Sequence, residues 1–438
     1  MAACCAWACS GDSASEPDLP GGEDKYMLLL RISPLDTGEA ADAEVTERIK
    51  SLRVIVLTAP EEGTDAVPEI EYNRLVTPAE FGTTAATGFQ YEIMLLTTEG
   101  KKDVYLIANE GSIGTIAYQT AEGSTLNVGA LPTTFGDFLD RYKTGGDGPA
   151  PDAAEFKEAV EAIYFEPEYE YESEPGSDER TLYLPYMSHY EVEATKRSNN
   201  RLTMYLVPVA TKFTFKFINK LNREVSLNEI SVKSTDTQNF LLAHVGEEDY
   251  EKDFDETTMY WVDWLAKVAE KTHDAPNNAA INQQYGWISD YGIPTAGKTG
   301  PDVKTEFIGS SVPLPALKHV VEEDETETDV PSVVVLGPYY RPESRREVTH
   351  ENTLGGTVTE HEYLLTLGLT DASGSGPEFA DVAIGNLHAL FRNTSVYITI
   401  TISSDDVEVY AEISGWNRHS ANGWVTNGDD SKYVDPDS

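Results

Sequence analysis

Metal or nucleophilic chemistry in this chain of 438 residues would have to start from eight histidines and three cysteines. The histidines are His189, His244, His273, His319, His350, His361, His388 and His419. No two have the H-E-x-x-H spacing that sets a zinc-binding pair on one helix face. His361-Glu362 opens that pattern without its second histidine, so these read as surface histidines. No G-x-S-x-G elbow occurs, and Gly309-Ser310-Ser311 lacks the closing glycine. Gly355-Gly356 follows no strand and has no lysine beside it, so it makes no phosphate cradle. The acidic runs Glu247-Glu248-Asp249 and Glu322-Glu323-Asp324 lack the alternating ligands and central glycine of a calcium loop. Carboxylate pairs for glycoside hydrolysis are available by sheer number among 75 acidic residues, so they single out no site. Trp261, Trp264 and Trp287 could stack a sugar ring or pack as ordinary aromatics. The expectation is a protein that is not an enzyme and carries no cofactor or metal.

Composition narrows the partners. With 32 basic against 75 acidic residues the formal charge is −43, which excludes sequence-nonspecific nucleic-acid binding through a cationic face. It equally argues against docking on anionic lipid through basic residues. A hydrophobic content of 40% is ample for real cores, and the length suggests two or three domains at about 100–200 residues each. No run of about 18 apolar residues could span a bilayer as a helix. Cys4, Cys5 and Cys9 all stand at the N-terminus, so no disulfide framework is available to the body. Cys9 precedes a polar, acidic tether (Ser10 to Gly22) and looks like the first residue of a mature bacterial lipoprotein, with Cys4 and Cys5 as alternatives. The charged and apolar signal segment that should precede it is missing, which points to a start placed too far downstream or a truncated chain.

The elements that would position any site are mostly strands. Tyr26 to Ile32 is a short apolar run with Tyr26, Leu28, Leu30 and Ile32 on one face and Met27 and Leu29 on the other, which predicts a strand buried on both sides. Leu52 to Leu57 predicts a second strand. Tyr91–Leu96 and Val104–Ala108 flank Glu99-Gly100-Lys101 and predict a hairpin. Asp152 to Tyr164 predicts a helix with Asp152 as N-cap and Phe156, Val160 and Ile163 on one stripe. Met259 to Lys271 predicts another helix, and Phe165 to Arg180 an acidic linker. Leu202–Val207 and Phe213–Phe217 read as strands, the latter with three phenylalanines inward and Lys212, Thr214 and Lys216 outward. Between about Lys233 and Asp329 the chain reads as long surface loops, and strands resume at Val333–Leu336 and Glu362–Leu369. Val396, Ile398, Ile400 and Ile402 alternate with polar or aromatic residues, then Ser403 to Asp406 turns the chain. Val407, Val409, Ala411 and Ile413 alternate again, which makes a second hairpin. Many strands with scarce helix predict β-sandwiches.

Four segments in order resemble the fimbrillin family, the fimbrial subunits that build type V pili on Bacteroidia-type bacteria. They are the cysteine and tether with the first strand and Arg48; Val104-Tyr105-Leu106-Ile107-Ala108-Asn109-Glu110-Gly111; Leu184-Pro185-Tyr186-Met187-Ser188 with Leu206 to Lys212; and Phe391 to Ile400 followed by a last strand and Trp416. The resemblance implies an all-β chain with few short helices, built as two transthyretin-like Greek-key β-sandwich domains. The expected layout is a tether over 1–25, sandwiches over 26–200 and 201–425, and an acidic tail over 426–438. It implies export as an outer-membrane lipoprotein, cleavage after an arginine by a trypsin-like surface protease, loss of the first strand, and a neighbouring pilin subunit's strand filling the vacancy. Partners would be other pilin subunits, the protease, and host or bacterial surface ligands. Arg48 is the expected cut, because Arg31 and Arg53 lie inside strands and Arg48 ends a linker that a protease could reach. Residues 417–438 are poor donor material, so Val407, Val409, Ala411 and Ile413 are the candidate donor strand. Anchor or tip rather than stalk, and a surface lipoprotein binding glycans, stand as alternatives.

Overall fold

The computed structural model describes residues 26–34, 47, 49–59, 67–76, 91–118, 131–144, 151–166, 183–195, 200–233, 238–242, 304–321, 327–345, 348–351, 357–360, 363–371, 378–384, 387, 389–390, 392–404 and 406–415. Cys9, Arg48, the helix expected over 259–271, Trp287 and the tail 426–438 lie outside the described residues. In chain order come β1 (Tyr26–Pro34), β2 (Leu52–Thr58), β3 (Ile70–Val76), β4 (Tyr91–Thr97), β5 (Gly100–Ala108) and β6 (Ile116–Tyr118). Next come α1 (Phe135–Arg141), α2 (Ala153–Ala162), β7 (Ile163–Phe165), β8 (Tyr186–Ala194) and β9 (Asn200–Leu206). The second half runs through β10 (Thr211–Asn219), β11 (Val225–Lys233), β12 (Asn239–Phe240), β13 (Lys304–Glu306) and β14 (Val312–Leu314). It continues with β15 (Lys318–Val321), β16 (Glu327–Val330), β17 (Ser332–Arg341), β18 (Ser344–Arg345), β19 (Val348–Glu351) and β20 (Thr357–Glu360). Last are β21 (Leu364–Thr370), β22 (Glu378–Ala383), β23 (Ala389–Leu390), β24 (Thr394–Ile402) and β25 (Val407–Gly415). The chain is mostly β.

In the first half, the sheet β4-β1-β9 lies against the sheet β3-β2-β5-β8. Leu28, Leu30, Ile32, Ile93, Leu95 and Leu206 of one meet Leu52, Val54, Val104, Leu106 and Tyr190 of the other in one core. The far face of the second sheet offers Ile55, Leu57, Tyr105 and Ile107, which Phe135 and Phe138 of α1, Phe156 and Val160 of α2, and the small sheet β12-β7-β6 cover. That third layer explains why β2 and β5 are apolar without alternation: both of their faces are dry. Asp152 caps α2 as expected, accepting from the backbone N–H of Ala154 at 2.9 Å and Glu155 at 3.0 Å. Helix α1 was not legible; its stripe of Phe135, Phe138 and Leu139 is only two turns long.

In the second half, β17-β10-β24-β25 packs on β13-β11-β21-β22. Phe213, Phe215 and Phe217 point into this core with Val396, Ile398 and Ile400, all fully buried, as the alternation predicts. The expected C-terminal hairpin is present, with Ile402 opposite Val407 and the turn closed by Ser403 N–H donating to Asp406 O at 3.0 Å. The pairs β15–β16 and β19–β20 form separate two-stranded ribbons.

The stretch from Lys233 to Asp329, expected as surface loops, carries β12 to β16 and buries Phe240, Phe307 and Leu314. Three further expectations about the strands need correction. The first is the hairpin over 91–108: β4 pairs with β1, and β5 pairs with β2 and β8, so the turn carries the chain from one sheet to the other. Gly100, at φ +111°, adopts there a backbone that side-chain-bearing residues avoid. The second is the double burial of β1: Leu28, Leu30 and Ile32 are fully buried, but Met27 is 51% exposed and Leu29 is half-buried. Their cross-strand neighbours Leu96 and Met94 are exposed too. The third is Lys212, which points away from the phenylalanine core as expected yet is buried against other groups.

Two carboxylates, the half-buried Glu71 and the buried Asp103, stand near the β4-to-β5 crossing. Glu71 accepts from the Thr97 and Thr98 hydroxyls and from Lys102 Nζ at 3.1 Å. Asp103 pairs with His189 Nε2 at 2.8 Å and Lys157 Nζ at 3.3 Å. Burial pushes both carboxyls up, but these partners outweigh it and hold Glu71 below its ordinary 4.5 and Asp103 below its ordinary 3.8. A carboxyl with a depressed folded value adds stability above its unfolded value and loses it as pH falls through the folded one. Glu71→Gln should therefore lower the unfolding midpoint at neutral pH, and the gap to the wild type should shrink as pH drops below about 4 in thermal melts.

Candidate functional site

The site is the place of β1. It is the central strand of its sheet, antiparallel to β4 from Tyr26 opposite Thr97 to Ile32 opposite Tyr91. It is parallel to β9 from Leu28 beside Asn200 to Pro34 beside Leu206. Taking it out would leave one-strand-wide rows of unpaired backbone groups on both β4 and β9. It would also uncover the core where Leu28, Leu30 and Ile32 sit. These three side chains, rather than the whole apolar run, carry the burial, at roughly 1.5–3 kcal/mol each. Tyr26 is partly buried at the mouth of the slot.

Beyond β1 the chain re-enters the described structure at Glu47, whose side chain is buried between the two halves. Its Oε1 pairs with Lys212 Nζ at 2.7 Å and accepts from the Tyr340 hydroxyl at 2.8 Å. Its backbone oxygen accepts from the Tyr186 hydroxyl at 2.7 Å. Tyr186 belongs to β8, Lys212 to β10 and Tyr340 to β17, so one glutamate touches both sandwiches. Ile49 is buried as well, so the neighbours of Arg48 are packed rather than laid out on an exposed linker.

Asn109 holds the segment after that point. At φ 55° it adopts a left-handed backbone. Its Oδ1 accepts from the Lys50 N–H at 2.8 Å, and its Nδ2 donates to Leu184 O at 2.7 Å. This is the asparagine of the Ala108-Asn109-Glu110-Gly111 segment, and asparagine is among the few side chains that tolerate that backbone. Arg53 pairs with Glu110 at 2.6 Å and donates to Asn73 at 2.8 Å, fixing the same corner. A second tie between the halves is the fully buried Arg392, paired with Glu343, whose Nη1 donates to Leu241 O at 2.9 Å and Nη2 to Phe240 O at 2.7 Å.

The candidate donor strand lies in β25, an edge strand paired with β24. Val407 and Ala411 are buried in the second core, Val409 is partly buried, and Ile413 stands opposite Val396. It therefore belongs to the chain's own sheet here. His189 is not the surface histidine expected: besides Asp103, it stacks on Tyr105 at 4.4 Å between ring centroids. No group of metal-ligating side chains stands among the described residues.

No family model and no curated protein matches this chain. Among solved structures, the tip fimbrial protein Mfa3 from Porphyromonas gingivalis, with a C-terminal truncation, is similar at 12% identity and a TM-score of 0.43. The match covers 89% of this chain and 100% of that one. A fimbrial assembly protein from Parabacteroides distasonis is similar at 12% identity and a TM-score of 0.38, over 89% of this chain and 98% of that one.

Leu30→Ala tests the seat of β1. A cavity at a fully buried position between two sheets should cost about 2–5 kcal/mol in denaturant unfolding, while Met27→Ala on the open face should cost under about 1 kcal/mol.

Proposed function

We propose that this protein is a structural, non-enzymatic subunit of a cell-surface fimbria of the fimbrillin type, and that β1 is a removable plug. One observation carries the reading: the first described strand is also the middle strand of its sheet, hydrogen-bonded on both sides and buried along one face. A middle strand is normally reached through connections at both ends. No described strand precedes this one, and in this reading a cut on its C-terminal side, after Arg48, separates it from the rest of the described fold. The slot it leaves accepts another strand by β-augmentation, which restores two ladders and one apolar row together. A strand passed from each subunit to the next is a head-to-tail contact, which propagates into a filament instead of closing. The ordered sequence segments support the same family.

In this reading Cys9 is lipidated at the outer membrane, and a trypsin-like protease cuts after Arg48 and carries away residues up to it. A neighbouring subunit then fills the slot. Edge strand β25, with Val407, Val409, Ala411 and Ile413, is the donor candidate, as the last strand in the order of its sheet among the described residues. The polymer displays the second sandwich and supports adhesion to host or bacterial surfaces.

Limited trypsin treatment of the full chain tests this. Cutting after Arg48 should yield a ladder of oligomers on gels run without boiling and fibres by electron microscopy, and Arg48→Gln should remain whole and monomeric. A chain cut after Arg48 that loses residues 1–48 and stays monomeric at high concentration would remove the polymerisation reading.

A further inference from the structure

Cleavage after Arg48 would take Glu47 away together with β1. The leader would therefore leave two vacancies: the strand slot and a polar pocket between the sandwiches. That pocket is already shaped for a carboxylate. Lys212 Nζ stands 2.7 Å and the Tyr340 hydroxyl 2.8 Å from Glu47 Oε1. Lys212 is 8% exposed and Tyr340 1% in the uncut chain, so with Glu47 in place both donors meet its carboxylate away from water. A buried ammonium and hydroxyl converging on one point favour an anion over a neutral group. The strength of such a contact comes from leaving neither charge uncompensated in a dry place. The pocket also lies where β10 and β17 of one sandwich meet β8 of the other, so whatever fills it bears on both.

Resting on the plug reading above, we infer that Lys212 and Tyr340 form a carboxylate-binding site of the processed chain, occupied first by Glu47 and then by an acidic side chain of the incoming segment. The slot supplies affinity through backbone and apolar contacts that many strands could make. The junction site adds a requirement that only a segment with a carboxylate at the right distance beyond its strand can meet. It sets a preference among donors that the apolar row alone cannot. With 75 acidic residues the chain has no shortage of groups to offer.

The test uses the full chain cut after Arg48 and kept dilute. A synthetic peptide of residues 26–48, or the same peptide with Glu47→Gln, competes with the bound fragment, and its release is followed on a sizing column. The glutamine peptide should need at least about tenfold more to displace half of the fragment, since tenfold in affinity corresponds to about 1.4 kcal/mol. On chains carrying Tyr340→Phe or Lys212→Met the preference should shrink or vanish. The peptide comparison needs no altered chain, so it stands even if Lys212→Met fails to fold. Equal competition on the unaltered chain, or a preference that survives both substitutions, overturns the carboxylate site and leaves the plug reading intact. A cut chain from which neither peptide displaces the fragment overturns the plug reading and this site with it.

Discussion

Everything in this structure that bears on function turns on where β1 lies. A strand in the middle of a sheet is hydrogen-bonded along both edges, so removing it costs more than removing an edge strand of the same length. Its three inward side chains reach the shared core of two sheets. Yet β1 pairs in parallel with β9, which follows more than 160 residues later, and antiparallel with β4, so no tight turn ties it to either neighbour. The strand is held by pairing on both edges and by its buried side chains, while both strands it pairs with lie far along the chain. In the proposed reading, that combination is what would let a cut beyond β1 leave a chain that lacks a strand.

If β1 left, the remaining layers would still hold the rest of the first half together. Sheet β3-β2-β5-β8 is buried on both faces and does not rely on β1 alone for its dryness, because α1, α2 and the small sheet β12-β7-β6 cover the other side. Arg392, with its donors on Glu343, Phe240 and Leu241, ties the third layer to the second sandwich. Removing one partner of such a buried pair is strongly destabilising, which makes it a rigid tie even where its net contribution to stability is small. Glu47 differs from these ties. It lies on the side of Arg48 that would be lost, so its contacts with Lys212 and Tyr340 belong to the uncut chain only.

The parts of this fold that could be read from the sequence were those governed by local rules. The alternation through Val396–Ile402 and Val407–Ile413 gave a hairpin, and Phe213, Phe215 and Phe217 gave one face of a core strand. Asp152 gave a helix start. The rest depended on contacts between distant segments. A turn between β4 and β5 looks the same whether the strands pair or switch sheets, since the turn residues carry only the change of direction. The outer face of β1 reads as apolar because Met27 and Leu29 are apolar, but burial depends on whether a layer covers them, and none does among the described residues. Lys212 follows the polar phase of its strand, and only the packing of Glu47 and the first half against that strand makes it buried. Glu47 had no signal at all, being one carboxylate among 75 acidic residues. Asn109 had a usable one: an asparagine followed by Glu-Gly at the end of an apolar strand is a fair sign of a left-handed turn.

The claim that β1 must leave for subunits to join can be tested by locking it in place. Leu29 and Met94 stand directly opposite on β1 and β4, where antiparallel partners have Cα atoms about 4.5–5.5 Å apart, inside the range of about 4.4–6.8 Å that a disulfide spans. The chain would carry Leu29→Cys and Met94→Cys, with Cys4, Cys5 and Cys9 replaced by serine. Cut after Arg48 and kept oxidised, it should remain monomeric by light scattering, then polymerise when a reductant is added. Fibres growing equally well from the oxidised chain would show that β1 need not move, and the plug would have to be abandoned.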